Sequence, residues 1–256
     1  MNGLFDLTGK VAIVTGGNGG IGLGMALGLA GQGAHIAVVG RNAAKSVSAA
    51  KKISDETGVK TLAVTCDVAQ ESQVNSAMSQ IVEGLGRIDI LINNAGINIR
   101  KQPQDLSLDE FREVMDVNLT SAFLTSKAAY PAMKAAGAGK IINIGSMTSI
   151  YGSSFASAYA SSKGAIVQLT KSLALSWAPD HIQVNAILPG WIDTELTEKA
   201  RLEVSGLHER VLVRIPHGRW GKPADLAGTA IWLASSASDY VTGIAVPVDG
   251  GYTSAI

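Results

Sequence analysis

Seven short apolar runs recur along the chain, and this pattern limits the possible folds more than any other feature. Each run is nearly continuous rather than alternating, which is typical of strands buried on both faces of a parallel sheet. The runs are residues 11–14, 36–39, 61–64, 88–92, 141–144, 184–188 and 244–248. Longer segments of helical period separate them. The pattern predicts one doubly wound α/β domain over residues 1–256, with about seven parallel strands and helices on both faces.

Two of the helical segments and one insertion can be placed in more detail. Ser107 can cap a helix whose Glu110 reaches back to it, and Pro131 is expected to bend or divide that helix. A second helix, rich in alanine and serine, spans about residues 156–178. Residues 193–223 form a long insertion between the sixth and seventh strands. Such insertions tend to cover the binding crevice, so we expect a substrate lid there.

Composition narrows the class of protein. The chain is 46% hydrophobic and 16% charged, as a globular domain would be, and its 21 basic residues equal its 21 acidic ones. This balance gives no overall attraction to nucleic acid or to a membrane surface, and we expect neither as a partner. A single cysteine, Cys66, permits no intrachain disulfide. Without a targeting segment or a membrane-length apolar run, the sequence predicts a cytoplasmic protein.

A glycine-rich turn follows the first strand, in VAIVTGGNGGIGLGMALGLA. Gly17, Gly19 and Gly22 fit the spacing GxGxxG, while Gly16, Gly20 and Gly22 fit GxxxGxG. Glycines let backbone amides approach a pyrophosphate, and the following helix N-terminus favours its negative charge. The strand before and the helix after predict a Rossmann-type dinucleotide site. The residues of the turn assigned to the cofactor are Gly16, Asn18, Gly20, Ile21 and Gly22.

The end of the second strand distinguishes NAD from NADP in such sites. A carboxylate there would hold the ribose 2′-hydroxyl, but the sequence VVGRN has Arg41 followed by Asn42. The planar fork of an arginine could grip a 2′-phosphate, so NADP is favoured over NAD. The alternative is a solvated arginine at a helix start, with NAD held by other contacts.

Tyr159 and Lys163 lie four positions apart in AYASSKGAIVQL and therefore share a helix face. A tyrosine has a pKa of about 10, and a cation within about 4 to 6 Å lowers it by roughly 1 to 3 units. The pair could thus exchange a proton near neutral pH. On spacing alone, such pairs also occur by chance on exposed helices.

The chain resembles the short-chain dehydrogenase/reductase family over essentially its whole length. The motifs that carry the resemblance occur in order: TGGNGGIG, CDV, NNAG, MDVN, IGS, YASSK, LPGWIDT and VDGG. The resemblance implies that Tyr159 is the general acid/base and that Lys163 lowers its pKa and bonds the nicotinamide ribose. It implies that Ser146 polarises the reacting carbonyl and that Asn118 holds a water in the proton relay. It also implies a homotetramer, built from the helices beginning near Ser107 and Ala156 and from the C-terminal helix and strand.

Further cofactor residues follow from the same resemblance. It places Asp67 and Val68 at the adenine, and Asn94, Ala95 and Gly96 on the adenosine side. The residues implied at the nicotinamide carboxamide are Pro189, Gly190, Ile192 and Thr194. Each motif residue also has a purely structural interpretation, such as Asn118 satisfying a helix kink or Ser146 capping a turn. The histidines His35, His181, His208 and His217 share no ligand spacing, and we expect no metal site.

The C-terminal third is similar to the branch of gluconate 5-dehydrogenases and 2-deoxygluconate 3-dehydrogenases. Arg100 and Lys101, in the loop after the fourth strand, are expected near the cleft mouth, where Arg100 could bind a substrate carboxylate bidentately. Trp191 is expected to pack on the substrate or to close the lid. The insertion is locally basic, which suits an anionic small-molecule substrate or, equally, a solvated lid. Its basic residues are Lys199, Arg201, Arg210, Arg214, Arg219 and Lys222.

Other functions remain compatible with the same residues. A 3-oxoacyl-carrier-protein reductase would have the same catalytic set, and a glucose or general carbonyl reductase would need no carboxylate clamp. A non-enzymatic alternative is a dinucleotide-binding sensor that has lost catalysis. The intact set of Ser146, Tyr159 and Lys163 argues against that alternative.

Overall fold

The apolar runs form the strands of one parallel sheet in the computed structural model, which describes residues 3–255. The strands are β1 Val11–Thr15, β2 His35–Gly40, β3 Thr61–Thr65, β4 Ile90–Asn93, β5 Gly139–Ile144, β6 Ile182–Pro189 and β7 Ala245–Val248. Their order is β3-β2-β1-β4-β5-β6-β7, and every pairing is parallel. The direction of winding reverses between β1 and β4. This reversal opens a crevice beyond the carboxyl ends of the strands.

Helices cover both faces of the sheet. They are α1 Gly20–Gly31, α2 Ala43–Thr57, α3 Glu71–Leu85, α4 Leu108–Met115, α5 Ser121–Ala135, α6 Ser157–Trp177, α7 Glu195–Glu203, α8 Leu207–Arg214 and α9 Ala227–Ala234. One core lies between the sheet and α1, α2 and α9, and the other lies between the sheet and α3, α5 and α6. Neighbouring residues of one strand enter different cores, as Ala12 and Ile13 do. This two-sided burial explains why the runs are continuously apolar, and the predicted fold class is confirmed.

The helix ends follow local rules with one exception. Ser107 accepts a hydrogen bond from the Glu110 backbone at 3.2 Å, and the Glu110 carboxylate accepts one from the Ser107 N–H at 2.9 Å, as the sequence predicts. The expectation that Pro131 divides the helix is wrong, since Pro131 lies inside α5. It lies on the exposed side, where water can satisfy the carbonyl left without its N–H partner. The interruption is instead a π-helical turn, Asp116–Thr120, between α4 and α5.

The insertion between β6 and β7 forms α7 and α8 around a small apolar cluster of its own. Leu207, Val211 and Trp220 are buried in this cluster, and Trp191 and Tyr252 pack against it from outside the insertion. The insertion is therefore an ordered helical unit that lies beside the ends of β6 and β7. Within residues 3–255, no helix is both long enough and apolar enough to cross a bilayer.

Candidate active site

Three cavities adjoin one another where the strands end. The α2 cavity, about 260 Å³, lies beyond β2 and β3, and the glycine-loop cavity, about 350 Å³, lies beyond β1, β4, β5 and β6. The lid cavity, about 490 Å³, lies between the β5 end and the insertion. Asn18 and Ala95 line the first two cavities, and Ser146 and Tyr159 line the second and third. Residues from distant parts of the chain therefore form one continuous groove.

Most of the residues assigned to the cofactor line this groove. The α2 cavity has Arg41, Asn42, Asp67 and Val68 in its wall, along with Gly16, Asn18, Ala95 and Gly96. The glycine-loop cavity is lined by Gly16, Asn18, Gly20, Ile21, Asn94, Ala95, Gly96, Tyr159, Lys163, Pro189, Gly190, Ile192 and Thr194. Gly22 is not in either wall. A Cβ on it would lie 2.4 Å from the Gly16 carbonyl oxygen, so Gly22 serves the packing of α1 against the loop.

The glycine loop has the shape of a phosphate cradle. Gly16 and Gly20 adopt positive φ angles of 63° and 50°, which residues with a side chain rarely adopt. Among the described residues no side chain caps α1, and no acidic residue lies in its first turn, so its first N–H groups are left for an anion. Asn94 holds the loop in place by donating to the carbonyl oxygens of Thr15 at 3.0 Å and Gly16 at 3.2 Å. These residues fit the pyrophosphate of a dinucleotide.

Lys45 is a residue of the groove that sequence reasoning missed. It lines both the α2 cavity and the glycine-loop cavity, and its Nζ pairs with the Glu195 carboxylate at 2.8 Å. The signal was available, because Lys45 follows Arg41 by four positions at the start of a helix. Asn42 caps that helix by accepting from the Lys45 N–H at 3.0 Å. Two cations, Arg41 and Lys45, thus line the α2 cavity against one carboxylate, Asp67.

Tyr159 and Lys163 lie on α6 and both line the glycine-loop cavity. The Lys163 Nζ lies 5.6 Å from the centroid of the Tyr159 ring and donates to the Ile144 carbonyl oxygen at 2.7 Å. Lys163 is 4% exposed, and its desolvation lowers its pKa to about 8. The ammonium is therefore poised to lose its proton far more readily than a surface lysine does.

The direction of the Tyr159 shift differs from the expectation. Burial raises the pKa of Tyr159, and the Ser146 hydroxyl and the Arg100 guanidinium oppose this rise without reversing it. The expected lowering by Lys163 is wrong for this arrangement, since Lys163 is itself desolvated and its ammonium is turned to Ile144. The phenol therefore holds its proton through neutral pH, which suits a proton donor.

Ser146 lies directly after β5 and faces the same space. Its hydroxyl oxygen accepts a hydrogen bond from the Thr148 N–H at 3.1 Å, which leaves the hydroxyl proton available. Ser149 locks this turn against α6, because its hydroxyl donates to the Lys163 carbonyl oxygen at 2.6 Å. Ser146 thus both caps a turn and lines the two cavities that meet at Tyr159.

Asn118 lies in the π-helical turn, where its side chain is buried. Its Nδ2 donates to the Ile97 carbonyl oxygen and to the Ser162 hydroxyl, both at 3.0 Å, and its Oδ1 accepts from the Ile97 N–H at 2.8 Å. These bonds fix the loop after β4 against α6. A π-helical turn often marks a functional position, but the water that Asn118 was assigned stays a prediction.

Of the residues expected at the substrate, Arg100 and Trp191 line the lid cavity and Lys101 does not. Arg100 lines the lid cavity and pairs with Glu203 of α7 at 3.1 Å, whereas Lys101 pairs with Glu110 at 2.5 Å and is absent from the wall of that cavity. Trp191 lines the lid cavity and also packs edge-on against Trp220, with 5.5 Å between ring centroids. Sequence reasoning missed several further residues of this wall, whose positions depend on distant contacts: Asn98, Thr148, Tyr151 and Tyr252.

Known proteins share this architecture along the whole chain. A family profile described as enoyl-(acyl carrier protein) reductase matches residues 16–253. A 2-dehydro-3-deoxy-D-gluconate 5-dehydrogenase from Formosa agariphila is 42% identical over 99% of this chain and 96% of its own. A gluconate 5-dehydrogenase from Burkholderia cenocepacia, solved in complex with NADP and tartrate, is 41% identical with a TM-score of 0.94, covering 99% of this chain and 98% of its own.

The crystal structure of a short-chain type dehydrogenase/reductase from Mycobacterium marinum shows a further similar protein, whose sequence is 42% identical to this chain. Its TM-score is 0.93, and the match covers 98% of both chains. The family profile spans the glycine loop and the positions of Ser146, Tyr159 and Lys163. The chain belongs to the short-chain dehydrogenase/reductase family.

Proposed function

We propose that this protein is an NAD(P)-dependent oxidoreductase that interconverts a secondary alcohol and a ketone on a gluconate-like sugar acid. The observation that carries the proposal is the position of Ser146 and Tyr159, which line both the glycine-loop cavity and the lid cavity. A nicotinamide ring in the glycine-loop cavity and a substrate in the lid cavity would meet at these two hydroxyls. The alternatives that share the catalytic set differ only in what the lid cavity must accept.

The catalytic roles follow from the geometry of the chain's own groups. When bound, the nicotinamide supplies or accepts a hydride at the carbinol carbon. Tyr159 gives its phenolic proton to the substrate oxygen in reduction and takes it back in oxidation. Ser146 donates its hydroxyl proton to the same oxygen and polarises the carbonyl. Lys163 binds the nicotinamide ribose, and Asn118 fixes the loop after β4 against α6, the helix that carries Lys163.

The walls of the lid cavity favour a polar, anionic substrate. Among the residues that the structure describes, no aspartate or glutamate lines this cavity, whereas Arg100, Arg210 and Arg214 do. Three residues of its wall carry a buried polar atom without a hydrogen-bond partner in residues 3–255: Asn98 Oδ1, Thr148 Oγ1 and Trp191 Nε1. Hydroxyl groups of a sugar acid could satisfy such atoms, whereas a fatty acyl chain could not.

NADP is proposed as the preferred cofactor. Arg41 lines the α2 cavity just after β2, while the Lys45 ammonium beside it is paired with Glu195, and the Burkholderia cenocepacia gluconate 5-dehydrogenase was solved with NADP. The planar fork of Arg41 suits the 2′-phosphate that distinguishes NADP. We place the enzyme in the cytoplasm, since Cys66 is a free, buried thiol, as expected in a reducing compartment.

A homotetramer is proposed as the assembly. Leu108 of α4, Phe123 of α5 and Leu175 of α6 are 61%, 43% and 81% exposed in the single chain. These helices are the ones that the family resemblance places between subunits. Large apolar side chains at such positions favour burial against a second copy.

A substrate panel run with both cofactors tests the proposed function. The panel contains gluconate, 5-ketogluconate, an acetoacetyl thioester and an uncharged aliphatic ketone, each with NADP(H) and NAD(H). We expect the highest kcat/KM for the sugar acids with NADP(H). A preference for the thioester would favour the acyl reductase instead, and a preference for the uncharged ketone would remove the need for a carboxylate site.

A further inference from the structure

We propose that Arg214, held between the rings of Tyr151 and Tyr252, binds the substrate carboxylate and selects acids whose carboxylate lies several carbons from the reacting centre. This inference rests on the proposed function and deepens it, because it names the group of the substrate that the insertion binds. It also moves the carboxylate site away from Arg100, which the sequence alone had favoured.

The guanidinium of Arg214 is fixed in place by aromatic rings. Its central carbon lies 4.3 Å from the centroid of the Tyr252 ring and 5.3 Å from that of the Tyr151 ring. The Tyr151 hydroxyl donates to the Thr253 carbonyl oxygen at 2.8 Å, which ties the two tyrosine segments together. Ring faces hold a guanidinium by its π surface and leave most of its N–H groups for other acceptors. Within residues 3–255, the guanidinium forms a single N–H contact, from Nη1 to the Tyr252 hydroxyl at 3.3 Å.

The charge of Arg214 has no acidic partner in the described part of the chain. None of the ion pairs within residues 3–255 involves Arg214, and no aspartate or glutamate lines the lid cavity. Arg214 is exposed at the wall of the lid cavity, and a cation there without a counter-ion among the described residues favours an anionic ligand. Because the side chain is already ordered by the two rings, little rotamer entropy remains to be lost when the ligand binds.

Arg100 is less suited to this task. Its guanidinium already pairs with Glu203 at 3.1 Å, so a substrate carboxylate would have to displace a lid carboxylate. Arg100 is also close enough to Tyr159 for its charge to lower the pKa of the phenol. Arg100 therefore acts at the reacting end of the cavity. Arg214, at the end of α8, receives the far end of the substrate.

The relatives agree with a substrate of this shape. The Formosa agariphila and Burkholderia cenocepacia enzymes are named as 5-dehydrogenases of gluconate-type acids. In such an acid the carboxylate is carbon 1 and the reacting centre is carbon 5. A 2-hydroxy acid with a single carboxylate would place it next to Tyr159 instead, whereas a dicarboxylate such as tartrate offers a second carboxylate farther from its reacting hydroxyl.

The central test compares Arg214→Met with Arg214→Lys on charged and neutral substrates. We expect Arg214→Met to raise KM for 5-ketogluconate about 10- to 100-fold with little change in kcat, as loss of a charged hydrogen-bond partner would. The KM of Arg214→Lys for 5-ketogluconate should lie between that of Arg214→Met and that of the wild type. The KM of both variants for a neutral ketohexose should stay at the wild-type value. Arg112→Gln, on the exposed side of α4, is the matched control and should change none of these constants.

Tyr252 provides an independent arm of the test. Tyr252→Phe keeps the ring and should retain the wild-type KM for the acid, whereas Tyr252→Leu should raise it several-fold. This rescue by phenylalanine separates positioning of Arg214 from a general structural role. The proposal would be overturned if Arg214→Met raised KM equally for the acid and for the neutral ketohexose. It would also be overturned if KM for the acid did not change.

Binding of tartrate to the enzyme with NADP, measured by calorimetry, separates this inference from the proposed function. We expect Arg214→Met to weaken tartrate binding about tenfold or more, while Arg112→Gln leaves it unchanged. Should the wild-type protein turn over no sugar acid, the proposed function fails and tartrate binding decides the inference. Equal affinity of the wild type and Arg214→Met for tartrate would then refute it.

Discussion

Tyr159 controls the proton in this site, and its environment favours the protonated phenol. Burial raises its pKa, so Tyr159 acts as an acid toward a ketone without first needing a proton from water. We expect Tyr159→Phe to lower kcat by about 10²- to 10⁴-fold, the usual contribution of a general acid. NADPH affinity, followed by fluorescence titration, should change little because the ring remains. Normal turnover in this variant would exclude the proposed role.

Lys163 makes the cofactor affinity sensitive to pH. Its pKa is lowered from an ordinary 10.5 to about 8, so the ammonium is the main form only below that pH. The charged form donates more hydrogen bonds to a ribose, and affinity for NADPH should therefore fall as the pH rises from 7 to 9. Lys163→Arg stays charged over this range. A titration at several pH values should show an inflection near pH 8 in the wild type and none in Lys163→Arg.

The lowered pKa of Lys163 also makes the free energy of unfolding depend on pH. Because the folded pKa lies below that of the unfolded chain, the unfolded state binds more protons between about pH 8 and 10.5. This group therefore disfavours folding below about pH 8, and its unfavourable contribution is relieved as the pH rises through that window. Such a cost is consistent with a lysine retained for binding rather than for stability.

At the scale of the element, the junction of β1 and α1 depends on a missing side chain. A Cβ on Gly22 would lie 2.4 Å from the Gly16 carbonyl oxygen and 2.5 Å from Asn94 Nδ2. Gly22→Ala should therefore shift α1 away from the loop, lower the free energy of unfolding by about 1 to 3 kcal/mol and weaken NADPH binding. Thermal unfolding and fluorescence titration measure the two effects.

Gly31 of the same helix is the matched control. A Cβ there would meet nothing within 4 Å, and its φ angle lies outside the left-handed region. Gly31→Ala should keep the wild-type cofactor affinity and the wild-type stability or slightly more, because alanine favours helix over glycine. If Gly31→Ala and Gly22→Ala lost the same stability, close packing at Gly22 would not be the cause.

Elements were predictable from the sequence where local chemistry decides them. The strands follow from apolar runs, and the start of α4 follows from the pairing of Ser107 with Glu110, because each signal is complete within a few residues. Pro131 shows the limit: a proline normally interrupts a helix, but its exposed position in α5 makes the lost hydrogen bond tolerable. The π-helical turn at Asp116–Thr120 depends on hydrogen bonds of Asn118 with Ile97 and Ser162. These partners are distant in the sequence, so the residues around Asn118 do not predict them.

At the scale of the whole molecule, sequence reasoning missed Lys45 and named Arg214 only as one of several basic residues of the insertion. Lys45 meets Glu195 across the groove, and Arg214 meets Tyr151 and Tyr252, which are far from it in the sequence. The spacing of Lys45 from Arg41 was a local signal, but the partners of Lys45 and Arg214 are visible only in the folded arrangement. The glycine loop and the Tyr159–Lys163 pair, by contrast, carry their geometry within one strand, turn or helix.

The assembly is the property of the whole molecule that remains to be measured. Light scattering coupled to gel filtration should give four times the chain mass, since Phe123 and Leu175 need apolar partners that the single chain does not supply. Phe123→Asp and Leu175→Asp place a charge at the proposed contact and should shift the mass to two chains or one. Val47→Asp, on the exposed side of α2, changes an equally apolar surface residue away from those helices and should leave the tetramer intact. If the wild type elutes as a monomer, the exposed leucine and phenylalanine face solvent and the proposed contact does not exist.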